Sequence, residues 1–128
     1  MQGDGPAALL AGRAPIGGYG KGLFRIGGVQ HRGSLLILPG GVYPWPVASM
    51  AEVNADSLAA VLALGKSAGF LLLGTGATQI FPDPALRQAF TAAGLGLEAM
   101  DTGAACRTYN VLLGEERVFA TALIALPA

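Results

Sequence analysis

A chain of 128 residues that is 52% hydrophobic and 12% charged carries enough apolar surface for one packed domain and lies far from compositions that stay disordered. Eight basic residues cancel eight acidic ones, and the lysines and arginines are spread singly, which excludes nucleic acid and anionic membrane surfaces as partners. The single cysteine, Cys106, excludes an internal disulfide and a multi-cysteine zinc site.

Residues 1–15 are rich in Gly, Pro and Ala without a sustained period and read as a poorly ordered leader, with the domain expected over 16–128. Asp4 and Pro6 stand where a signal peptide would have a basic start and an apolar core, and no apolar run is long enough for a membrane span. A soluble, cytoplasmic protein is the expectation. Residues 16–26 alternate weakly, and residues 28–39 place a turn at Arg32-Gly33 before the run Leu35-Leu36-Ile37-Leu38, a pattern that predicts a small β meander. Residues 40–46 are expected as a loop in which Pro44 and Pro46 hold Trp45 on extended backbone at a sheet edge or crevice lip.

Asn54 or Asp56 caps a helix running to about residue 68, with Leu58, Val61, Leu62 and Gly65 on one face. Phe70-Leu71-Leu72-Leu73 follows, and four large apolar residues without alternation predict a strand covered on both faces, the centre of an α/β sheet. The Gly74-Thr75-Gly76 loop then lies at the strand's carboxyl end, where open α/β sheets keep their ligand crevices. Asp83-Pro84 opens a second helix that ends at Gly94, with Leu86, Ala89, Phe90 and Ala93 on one face. Residues 95–100 form a short strand. Asp101 or Thr102 caps a third helix with Ala105, Tyr109, Leu112 and Leu113 on its apolar face and Gly114 as its stop, and residues 118–126 are a last strand. This order predicts an α/β fold: a single three-layer domain with a mixed β-sheet, an N-terminal β meander and about three helices.

Gly74-Thr75-Gly76-Ala77-Thr78-Gln79 nearly spells a dinucleotide-binding fingerprint, with Glu98 lying 22 residues beyond Gly76. Gln79 replaces the third glycine, however, and Ile80-Phe81-Pro82 keeps the next helix from opening onto a pyrophosphate. No phosphate-binding lysine follows either, so no nucleotide and no other cofactor is expected. Arg107 and Asn110 stand one helical turn apart, off the apolar stripe. They can hold a carboxylate or phosphate between them, or pair with an acid and with the backbone of a neighbouring loop. Cys106 reads as a small hydrophobe rather than a catalytic thiol. His31 alone makes neither a triad nor a metal site, and the scattered acids form no acid/base pair, so no catalytic or metal-ligating residue is expected.

Gly33-Ser34, Trp45 after its proline, Leu73-Gly74-Thr75-Gly76, Met100-Asp101-Thr102 with Ala105, Arg107-Thr108-Tyr109-Asn110-Val111-Leu112, and Arg117 form a specific set. Over roughly residues 19–126 this set resembles the small Mth-type α/β domains of unknown function. That family's eukaryotic members include the adipogenesis-associated protein and a mitochondrial complex I assembly factor. The resemblance implies a three-layer fold and a pocket between the Gly74-Thr75-Gly76 loop and the start of the Thr102 helix, and it implies no reaction. Two readings of function follow. One is a non-catalytic interaction or assembly factor whose partner is another protein. The alternative is a binder of a small molecule or anion, an enzyme included, with Gly74, Thr75, Gly76, Thr102, Arg107 and Asn110 lining the pocket.

Overall fold

A computed structural model describes residues 8–127. Weak alternation near the start does produce a meander: β2 (Ile16–Gly20), β3 (Leu23–Ile26) and β4 (Val29–Arg32) form a three-stranded antiparallel sheet. Phe24 and Ile26 of β3 are buried while Arg25 between them is exposed, as a strand with one covered face requires. The β3–β4 turn is made by Gly27 and Gly28, both at positive φ (62° and 77°), which side-chain-bearing residues rarely adopt.

The run at residues 35–38 leaves the meander and joins a larger sheet. That sheet contains β1 (Leu10–Ala11), β5 (Leu35–Leu38), β6 (Gly41–Pro44), β7 (Phe70–Gly74), β8 (Gly96–Met100) and β9 (Ala120–Leu123), in the order β1-β6-β5-β9-β7-β8. β7 runs parallel to both its neighbours, β8 and β9, and the remaining pairings are antiparallel, so the sheet is mixed. Leu71, Leu72 and Leu73 are each 0% exposed, which is the two-sided burial that an unalternating apolar strand demands.

Those two sides are separate cores. Leu71 and Leu73 pack with Val61 of α1 (Ala59–Leu64), with Leu86 and Phe90 of α2 (Pro84–Ala92), and with Trp45. Leu72 packs on the other face with Leu35, Ile37, Phe24 and Ile26, and with Ala105 and Tyr109 of α3 (Thr102–Gly114). The layers are therefore α1 and α2, the six-stranded sheet, and α3 with the meander. Both longer helices start on aspartate: Asp83 accepts from the Ala85 amide and Asp101 from the Ala104 amide, each at 2.8 Å.

Several boundaries move from where local signals place them. Gly41–Pro44 is a strand rather than loop, because Pro44 is its last residue and removes no interior ladder bond. Trp45 is not at a lip but 4% exposed in the core, its indole N–H donating to the Ser57 carbonyl at 2.7 Å. Asn54 and Ser57 bond each other's backbone amides reciprocally at 2.9 and 3.0 Å, so the α-helix starts only at Ala59. Gly65, at φ 53°, breaks it after Leu64, and a separate 3₁₀ turn follows over Gly65–Ala68. α3 ends at Gly114 as expected, and the left-handed turn that follows is made by Glu116, at a positive φ of 59°. The last strand is shorter than expected, Ala120–Leu123.

Of the leader expected over residues 1–15, residues 1–7 lie outside the described residues. Within residues 10–14 the chain makes contacts with the rest of the domain. Leu10 pairs with Val42 in the sheet, the Arg13 guanidinium donates to the Arg117 carbonyl at 2.9 Å, and the Ala14 carbonyl accepts from Tyr109 Oη at 2.8 Å. Backbone groups and one arginine make these contacts, so the poverty of large side chains did not reveal them.

Candidate functional site

The loop after β7 is built from its backbone outward. Gly74 sits in close quarters, since a Cβ there would lie 3.0 Å from both Thr102 Oγ1 and Leu123 Cδ2 and would press on both. The Thr75 amide donates to the Met100 carbonyl at 2.8 Å, and Thr75 Oγ1 donates to the Thr78 carbonyl at 2.6 Å while accepting from the Ile80 amide at 3.1 Å. Gly76, at φ 105°, donates its amide to Thr102 Oγ1 at 2.9 Å and accepts from the Thr102 amide at 2.8 Å. Thr102 Oγ1 passes its own proton to the Ile124 carbonyl at 2.7 Å. Thr75 and Thr102 are 3% and 0% exposed, and their hydroxyls are engaged in the bonds within this turn. Asp101 already caps the positive end of α3 with a carboxylate, which disfavours a second anion there.

Arg107 and Asn110 belong to a different contact. Asn110 grips the backbone of Ile16 in both directions, Oδ1 accepting from its amide and Nδ2 donating to its carbonyl, each at 2.8 Å. Arg107 is exposed and donates from Nη1 to Tyr19 Oη at 2.8 Å. Tyr19 lies across α3 at Gly103, where a Cβ would come within 2.9 Å of Tyr19 Oη. The structure thus brings Gly74, Thr75, Gly76 and Thr102 together as an interlocked turn. Arg107 and Asn110 fasten β2 onto α3 instead, and neither bonds to the glycine loop.

Burial pushes the Cys106 thiol up to about 12, outweighing the Arg107 guanidinium beside it, so the thiol stays protonated and inert at neutral pH. Tyr109 is likewise pushed up to about 12 by burial, against the opposing pull of Arg13 and its bond to Ala14. Among the described residues no three His, Cys, Asp or Glu side chains gather as a metal site.

The feature that sequence reasoning passed over comes directly after the glycine loop. Gln79 donates to the Ala99 carbonyl of β8 at 2.9 Å, and the next two residues project outward, Ile80 at 43% exposure and Phe81 at 77%. Ile80-Phe81-Pro82 reads as a spacer in the sequence; the available signal was an apolar pair in a loop with no periodic partner to bury it.

Residues 16–124 match a family described as protein of unknown function (DUF498/DUF598). An uncharacterised protein of Rhodobacter capsulatus is 42% identical over 118 residues, which are 92% of this chain and 90% of that one. A Xenopus tropicalis protein named NADH dehydrogenase (ubiquinone) 1 alpha subcomplex assembly factor 3 is 32% identical over 106 residues, 83% of this chain. The chain spans only 58% of that assembly factor's length. Among solved structures, a Bordetella pertussis protein described as a Mth938-like domain superposes with a TM-score of 0.74 at 29% identity, over 97% of this chain and 90% of that one. The fold and the extent of the match agree with the resemblance read from the sequence, and the chain belongs to the DUF498/DUF598 family of proteins of unknown function, with the Mth938-like fold.

Proposed function

We propose that this domain is a non-catalytic protein-interaction module that acts as an assembly factor, with another protein as its partner. One observation carries the reading: the loop after β7 consumes its polar groups internally and presents Phe81, 77% exposed, beside Ile80. Aromatic side chains dominate interface energetics, so a phenylalanine left in water at a loop tip is an anchor that a partner can cover. Covering a phenylalanine side chain fully contributes on the order of 1.5–3 kcal/mol. The chemistry of the site supports the same reading, since Cys106 and Tyr109 are buried and held protonated. The name of the Xenopus relative supports it as well, and makes subunits of an NADH dehydrogenase the first partners to try. No helix among the described residues is long and apolar enough to cross a membrane. A cytoplasmic setting completes the reading, in keeping with Cys106 as a free, buried thiol.

The test is co-purification of the tagged chain from its own host, identification of what accompanies it, and reconstitution of the purified pair. A complex of fixed stoichiometry that survives gel filtration is expected. Phe81→Asp should abolish it while leaving the melting temperature of the free domain unchanged. A chain that forms no complex, or that turns over a small molecule, overturns the reading.

A further inference from the structure

β8 is the last strand of the six-stranded sheet and is bonded to β7 on one side only. The Met100 carbonyl faces β7's extension, where it accepts from the Thr75 amide. Backbone groups along a parallel strand alternate sides, so those of Leu97 and Ala99 point away from the sheet. Gln79 agrees with this, reaching the Ala99 carbonyl from the outer side. The Leu97 amide and carbonyl and the Ala99 amide are thereby presented outward, spaced for one more strand. Proteins ordinarily shield or shorten such edges. The opposite edge of this sheet is closed by the two-residue β1, whereas β8 runs five residues. Beside it a hollow of about 490 Å³ is lined by Phe70, Gly96, Leu97, Glu98 and Arg117.

We infer that β8 takes an added strand, an extended segment of another protein with a lysine or arginine facing Glu98 between apolar residues facing Leu97 and Ala99. The inference rests on the protein-interaction reading above and specifies its mode. Main-chain bonds supply the contact in strand addition, and alternate side chains supply the choice of partner. Leu97 and Ala99 pack toward the core under α2, so residues opposite them meet an apolar face. Glu98 is exposed, is the one charge on β8, and makes no ion pair among the described residues. That carboxylate also decides against a second copy of this chain. An antiparallel β8–β8 pairing about the middle residue would set two Glu98 carboxylates opposite each other, which destabilises a strand pair. A basic residue at that position is favourable by the same rule.

The experiment titrates the ¹⁵N-labelled full chain with two capped peptides, Thr-Val-Lys-Val-Thr and Thr-Val-Glu-Val-Thr. The lysine peptide should shift the amides of Leu97 and Ala99 and bind about 5-fold more tightly than the glutamate peptide, with Glu98→Lys reversing the preference. Ala99→Pro removes an outward amide that an edge strand can spare, and should abolish binding of both peptides with the rest of the spectrum retained. Should that variant fail to fold, the charge reversal at Glu98 decides alone. Equal response to the two peptides, shifts centred elsewhere, no shift at millimolar peptide, or the same shifts arising from dimerisation each overturn the inference. A purified partner complex broken by Phe81→Asp but untouched by Glu98→Lys and Ala99→Pro overturns strand addition and leaves the interaction reading standing. Absence of any complex sinks the interaction reading, while the peptides still decide the edge.

Discussion

Gly76 and Thr102 bond each other in both directions: the Gly76 amide donates to Thr102 Oγ1 at 2.9 Å, and the Thr102 amide returns to the Gly76 carbonyl at 2.8 Å. The hydroxyl also donates to the Ile124 carbonyl, so one buried oxygen ties the β7 loop, the start of α3 and the chain beyond β9. Thr102→Val keeps the shape and removes the hydroxyl, leaving one buried donor and one acceptor unmade. The expected loss is about 2–5 kcal/mol. Thr102→Ser keeps the bonds and should lose no more than about 1.5 kcal/mol, for one buried methyl. Urea denaturation of the two variants checks the difference.

Leu72 is 0% exposed on β7 and faces the core shared with α3 and the meander. Leu72→Ala should cost about 2–5 kcal/mol through lost burial and a residual cavity. Phe81→Ala, on the exposed loop, should stay within about 0.5 kcal/mol of the parent. A comparable loss at both positions would contradict the division between core and interaction surface.

Asn110 satisfies both backbone groups of Ile16, which is 5% exposed, whereas Arg107 reaches an exposed phenol. Asn110→Ala should cost about 1–3 kcal/mol and speed hydrogen exchange at the Ile16 amide. Arg107→Ala should cost at most about 1 kcal/mol, and phosphate should raise the melting temperature of neither parent nor variant. A phosphate response lost with Arg107 would restore an anion site.

Cys106 and Tyr109 both have pKa values raised to about 12 by burial, from ordinary values of 9.0 and 10.0. For a raised pKa the neutral form is favoured by folding, so the contribution is full below the unfolded value and disappears as pH rises through the folded one. Stability should accordingly be level with respect to these groups at neutral pH and decline between about pH 9 and 12. Thermal melts across that range check it, and Cys106→Ala should show a shallower decline. Native protein at pH 8 should resist thiol-directed alkylation, and unfolding should restore reactivity.

Local physics was enough for the two-sided burial of β7 and for the two aspartate-capped helices, but not for the place of β7 in the sheet, which is next to the edge strand β8 and not at the centre. An unbroken apolar run buries on both faces wherever it sits, and Asp83-Pro84 and Asp101-Thr102 satisfy their own helix starts within three residues. The motifs at Gly74-Thr75-Gly76 and from Arg107 to Leu112 carried the family resemblance as well. Tertiary structure decided what those residues do. Asn110 is 94 residues from Ile16 and Arg107 is 88 from Tyr19, and no periodicity within α3 says which neighbour meets its polar side. Trp45 looked like a lip residue between two prolines until β6 paired with β5 and the Ser57 carbonyl came within reach of its indole. The glycine loop looked open because its hydrogen-bond partners, Met100, Thr102 and Ile124, reach it only once β7 lies between β8 and β9. Whether a backbone amide is free for a ligand depends on which distant group arrives first, and that is settled by packing rather than by spacing along the chain.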